Sequence, residues 1–188
     1  ESPMVITTAD KTNIKPGEML TITYSIDHDL EYMTRLDLVL RFDATLFQFV
    51  SADTEGSVWF TKSGLGSVIT QNNESFVRVK QNRNSNEDTI SAGKICSITF
   101  MALDSISNAS TAAFYNSGSS NLYSSSIMVD EDYCYVEDGA FDHGADNPIQ
   151  VTIAPDGTGP IPTATGYSVS MGADQQISEG QQVRIPVT

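Results

Sequence analysis

The chain has 188 residues, 39% of them hydrophobic, with 8 Phe, 7 Tyr and a formal charge of −14 at neutral pH. That length suits one full domain and a little more, and the apolar content suffices for a packed core. Such an acidic chain is a poor partner for nucleic acid or an anionic membrane, which call for clustered Lys and Arg, and no apolar run approaches the roughly 20 residues of a membrane span.

Short β-rich runs follow one another along the chain: 4–9, 19–26, 36–42, 47–52, 57–62, 67–72, 75–82, 94–103, 111–116, 133–137 and 149–153. Turn residues separate them, among them Lys15-Pro16-Gly17, Gly64-Leu65-Gly66, Asn72-Asn73-Glu74 and Ala92-Gly93. No window sustains an i, i+3, i+4 apolar pattern. The reading is all-β, a jelly-roll β-sandwich of about nine strands with little helix, over residues 1–154. Between 36–42 and 47–52, the Asp43-Ala44-Thr45 joint is short enough to suggest that the chain stays in one sheet layer. The Asp43 carboxylate is placed to accept backbone N–H bonds from the residues after it.

Residues 155–166, within "APDGTGPIPTATG", read as a Pro/Gly/Thr linker. Beyond it, Ile177, Gly180, Val183 and Ile185 repeat the spacing of Ile14, Gly17, Leu20 and Ile22. This echo suggests tandem modules, with 167–188 the first strands of a second, truncated one. Too short for a core of its own, that segment is expected to add as a strand to an exposed sheet edge.

Candidate chemistry is sparse. His28 and His143 sit in polar loops outside any metal-pair, triad or phosphate-loop motif, so no enzyme is predicted and no catalytic or metal residue is assigned. Cys96 and Cys134 could pair or remain two buried thiols. The acidic run 129–147, with Asp130, Glu131, Asp132, Glu137, Asp138, Asp142 and Asp146, could hold calcium, but it lacks the EF-hand order and reads as a solvated loop. Trp59, with Tyr115, Tyr123, Tyr133 and Tyr135, could offer a sugar-stacking platform.

The basic residues are more informative. Arg35, Arg41, Arg78, Lys80, Arg83 and Lys94 lie on or beside the strands 36–42, 76–82 and 94–103. Alternation turns Leu36, Leu38, Leu40, Phe42, Val77, Val79, Cys96, Ile98 and Phe100 inward. It leaves Asp37, Val39, Arg41, Phe76, Arg78, Lys80, Asn82, Ile95, Ser97, Thr99 and Met101 outside. If those strands are neighbours, they form one flat outer wall with a cationic zone and an apolar centre, which reads as a partner surface, the alternative being a solvated sheet face that uses Lys and Arg for solubility.

The stretch "LDLVLRFDATLFQFVSAD" followed by "SAGKICSITFMAL", with "IKPGEMLTITYSI" before and "YVEDGAF" after, resembles the cohesin modules of cellulosome scaffoldins over roughly residues 4–153. The resemblance implies a nine-stranded jelly roll with the strands 36–42, 76–82 and 94–103 side by side. That face would bind a dockerin, a small calcium-loaded two-helix module, and the calcium would come with the partner, leaving this chain without a cofactor. Partner-binding residues would be Asp37, Val39, Arg41, Arg78, Lys80, Asn82, Ile95, Ser97 and Thr99, with Arg41, Arg78 and Lys80 steering an acidic partner. The stretch 104–147 does not follow the family pattern strand for strand, so the cohesin type stays open.

The resemblance further implies a monomeric, non-catalytic module of a secreted or cell-surface bacterial chain. Few Lys and abundant Ser, Thr, Asn and Gly point the same way, and no secretory leader is visible, as in any processed chain. A carbohydrate-binding sandwich and a structural repeat of a surface or adhesin protein are the alternatives.

Overall fold

The structure, a computed structural model, describes residues 3–61, 66–82, 89–118, 121–129, 135–136 and 139–156. The linker from residue 157 on, the segment 167–188 with its expected edge pairing, Lys62, Arg83, Tyr133, Cys134, and the acidic residues Asp130, Glu131, Asp132, Glu137 and Asp138 lie outside the described residues.

Two sheets pack face to face. The strands are β1 (Val5–Ala9), β2 (Asn13–Ile14), β3 (Met19–Ile26), β4 (Met33–Phe42), β5 (Phe47–Asp53), β6 (Gly66–Gln71), β7 (Glu74–Asn82), β8 (Gly93–Ala102), β9 (Ser110–Asn116), β10 (Ser126–Val129), β11 (Tyr135–Val136) and β12 (Ile149–Ile153). The smaller sheet has the order β1-β3-β8-β5. In the larger one β4 is central, with β7 and then β6 on one side. Its other edge is shared by β9 at Leu40–Arg41 and β10 at Leu36–Asp37. β12 and β2 continue the sheet beyond β9, and β11 extends it beyond β10. All pairings between these strands are antiparallel except β12 with β2. Among the described residues there is no helix.

The inward sets read from alternation form the core: Leu36, Leu38, Leu40, Phe42, Val77, Val79, Cys96, Ile98 and Phe100 are all buried in one cluster. Aromatic rings centre it, with Phe100 in contact with Phe42 at 4.9 Å and Phe114 at 5.0 Å between ring centroids. The two sheets touch where the period-2 pattern of each turns its apolar side inward.

Three expectations are corrected. The run 57–62 is not a strand where it is described: the Ser57 hydroxyl accepts from the Trp59 and Phe60 amides at 3.0 and 2.7 Å, which turns the backbone and drops Trp59 into the core. The Asp43 joint does not keep the chain in one layer. β4 belongs to the larger sheet and β5 to the smaller, since four residues are ample to cross the roughly 10 Å between packed sheets. The carboxylate does act as expected, accepting from the Thr45 amide at 2.8 Å, while the Leu46 and Phe47 amides close a turn onto the Asp43 carbonyl.

The third correction bears on function. β8 is not beside β4 and β7 but lies in the opposite sheet, between β3 and β5. The wall formed from three segments is therefore only two strands wide, and β8 decorates the far side of the molecule.

Candidate binding face

The outer surface of the β6-β7-β4 sheet is where the predicted partner residues of β4 and β7 come together. Their registers place Arg35 opposite Asn82, Asp37 opposite Lys80, Val39 opposite Arg78 and Arg41 opposite Phe76. The alternation named the residues of this face correctly but misjudged their exposure. Asp37, Val39, Arg41 and Phe76 are all buried: a further segment lies against Val39, Arg41 and Phe76, and Arg78 and Arg35 close on Asp37.

That cover is made of residues 117–118 and 121–125, the described part of the Ser117–Ser125 crossing between β9 and β10. Its two ends are tied together, Ser125 donating its amide to the Ser117 carbonyl at 2.8 Å. Both ends are also tied to Val39, whose edge groups fall in the gap between β9 and β10. The Ser117 amide and Ser125 hydroxyl donate to the Val39 carbonyl, each at 3.0 Å, and the Ser125 oxygen accepts from the Val39 amide at 3.0 Å. Between these ties Tyr123 lies on the Phe76 ring, with centroids 5.0 Å apart. Arg78 stacks over Tyr123 at 5.2 Å and Arg41 over Phe76 at 5.3 Å.

The charges of the face largely neutralise one another. Arg78 makes a two-pronged contact with Asp37, Nε at 2.9 Å and Nη2 at 2.6 Å, and Arg35 approaches the same carboxylate at 3.6 Å. Arg41 donates to the Ser117 hydroxyl at 3.1 Å and pairs with Glu74. Lys80 makes no ion pair among the described residues. Within this zone Arg78 and Arg35 converge on a buried carboxylate, Arg41 is matched by Glu74, and Lys80 is partly exposed.

The β8 residues sit elsewhere. Ile95 is buried in the core: Tyr24 faces Cys96 and Ser25 faces Lys94, so Ile95 is the extra residue of a β-bulge and rotates inward against the alternation. Ser97 and Thr99 do point outward, but from the smaller sheet, where Ser97 meets the Thr23 hydroxyl at 3.2 Å. Lys94 pairs with Asp53 there at 3.5 Å, and Asp53 is held below the usual carboxylate range, first by the Glu55 amide. Sequence reasoning missed Ser117 and Ser125 and offered Tyr123 only for a sugar platform; the signal for the crossing was the "SGSSNLYSSS" run, whose serines look like any loop.

The other candidates resolve simply. Trp59 is fully buried, which removes the chief member of a sugar platform. Cys96 is a free, buried thiol pushed up to about 12, chiefly by desolvation. Asp142 accepts from the Thr7 amide at 2.8 and 3.0 Å and so anchors the 139–147 loop to β1. Beside it, Asn116 accepts from the buried Tyr24 hydroxyl at 2.7 Å and donates to the Thr7 hydroxyl at 3.0 Å. Among the described residues no cluster of His, Cys, Asp or Glu is arranged to hold a metal ion, and no helix is long and apolar enough to cross a membrane.

Fold and face define a jelly-roll β-sandwich module whose most elaborated surface is the outside of one sheet. The sequence profile of the Cohesin domain family matches residues 4–129, and the chain belongs to that family. No match was found among curated proteins. Among solved structures it is similar to the seventh ScaB type I cohesin from Pseudobacteroides cellulosolvens, with a TM-score of 0.56 and 16% identity over 84% of this chain and 95% of that one. It is similar too to the cohesin–dockerin complex Coh-OlpA-Doc918 from Clostridium thermocellum, with a TM-score of 0.52 and 11% identity over 80% and 98%. A type II cohesin domain from the cellulosome of Acetivibrio cellulolyticus gives 0.51 and 15% over 80% and 95%. At these identities the likeness speaks to the fold.

Proposed function

We propose that the chain is a non-catalytic recognition module of a secreted scaffold protein, and that it binds dockerin-bearing proteins through the outer face of the β6-β7-β4 sheet. Membership of the cohesin family carries this reading, and several of the structurally similar cohesins are complexes with dockerins. The built-up face supports it: a hydrogen-bonded, ring-stacked surface costs little ordering on association. The calcium belongs to the partner. Tandem copies along one chain would raise the local density of whatever the dockerins carry.

The contact residues of this reading are those still accessible on the face, Arg78, Lys80 and Asn82 on β7 with the Ser117–Ser125 crossing beside them. The buried Val39 and Ile95 are not among them. Calorimetric titration against a panel of dockerins should give saturable binding in calcium and none in chelator, while the module's own melting temperature is unchanged by chelator. Binding to insoluble polysaccharide with no dockerin recognised would sink the proposal.

A further inference from the structure

The two edges of the smaller sheet are finished differently. On β5 the register shifts between Phe49 and Ser51, so Val50 is an extra residue that interrupts the row of edge groups. β1 pairs with β3 without a shift, from Val5 opposite Ile26 to Ala9 opposite Ile22, and its sequence VITTA carries no charge. A straight, uncharged edge is a template for a further strand.

The segment 139–143 lies along that edge. The Val5 amide donates to the Ala140 carbonyl at 2.8 Å, and the Val5 carbonyl accepts from the Asp142 amide at 3.3 Å. The Thr7 amide donates to both carboxylate oxygens of Asp142, at 2.8 and 3.0 Å. A single parallel bridge, Val5 with Phe141, is all the ladder that forms before a side chain replaces the backbone as acceptor. A carboxylate accepts without donating, so the sheet stops there. From the other sheet Asn116 holds the same segment, its side chain donating to the Asp142 carbonyl at 2.7 Å and its amide to the His143 carbonyl at 2.8 Å.

We propose that 139–143 is a guard on the β1 edge, occupying the groups that β1 of a second copy would pair with, and that its opening lets two copies associate there. The occupant is a second copy because β1 is its own complement. Antiparallel pairing of VITTA with VITTA about a two-fold axis satisfies both edges and sets no charge against charge.

Hydrogen exchange and sedimentation velocity on the whole chain test this. In the wild type, which should sediment as a monomer, the Val5 and Thr7 amides should exchange through an opening smaller than the global unfolding that frees Ile98 in the sheet centre. Asp142→Ala should speed exchange at Thr7 about tenfold or more beyond any change at Ile98, and should give a dimer that grows with concentration. Adding Ala9→Pro, on the same alternation as Val5 and Thr7, removes another outward amide of β1 and should restore the monomer while Thr7 exchange stays fast. Wild-type Val5 and Thr7 amides that exchange only with global unfolding would overturn the guard, whether or not the variants fold. So would a dimeric wild type, an Asp142→Ala chain with fast Thr7 exchange that stays monomeric to about 1 mM, or a dimer that survives Ala9→Pro.

Discussion

At Asp43 one carboxylate oxygen accepts from the Thr45 amide and hydroxyl, at 2.8 and 2.6 Å, and so sets the corner that passes the chain between sheets. Asp43→Ala should cost about 1 kcal/mol, the usual worth of such a cap, and should shift the urea midpoint without changing the slope. Cys96 gives a pH signature. Burial raises its thiol from 9.0 to about 12, so the unfolded chain ionises at a pH where the folded chain cannot. The stability this group supplies is whole below pH ~9 and is lost as pH rises toward ~12, by at most about 1.4 kcal/mol per pH unit. Urea midpoints measured from pH 8 to 11 should fall, and Cys96→Val should flatten part of that fall. Tyr24, also raised by burial, would leave the remainder.

Between elements, the outer face depends on polar ties that alternation cannot reveal. Ser125→Ala removes both the acceptor for the buried Val39 amide and one donor to its carbonyl. An unsatisfied buried amide costs about 1–3 kcal/mol, so hydrogen exchange at Val39 should accelerate well beyond the loss in global stability, reporting release of the crossing. Arg78→Glu would set a carboxylate against Asp37, whose side chain is only 4% exposed, in place of a two-pronged partner. A destabilisation of about 3 kcal/mol or more is expected by chemical denaturation. Charge reversal at Arg78 is therefore a folding experiment, whereas the same change at Lys80 is a binding one.

For the whole molecule, the −14 formal charge and the single ammonium of Lys80 act at different ranges. Salt screens charges beyond a Debye length, about 8 Å at physiological ionic strength, so steering by Lys80 is a low-salt effect. Lys80→Glu should slow dockerin association several-fold at low ionic strength, with dissociation nearly unchanged, as stopped-flow measurement at two salt concentrations would show. The smaller sheet, with Thr21, Thr23, Ser97 and Thr99 on its outside, should tolerate polar substitution with no effect on that rate.

By itself the sequence determined which side of each long strand is apolar, where the chain turns, and the family. Leu36 to Phe42 and Cys96 to Phe100 alternate because a pleated strand buries every second residue, and Asp43 turns the chain by a bond spanning two residues. Only the tertiary structure decided which sheet β8 joins, that Ile95 rotates inward at a bulge, and that Ser117–Ser125 closes over Val39. Those outcomes depend on partners such as Ser125 and Val39, far apart in the chain. A period-2 pattern encodes which way a side chain faces, but not which strand lies alongside or what comes to rest above it.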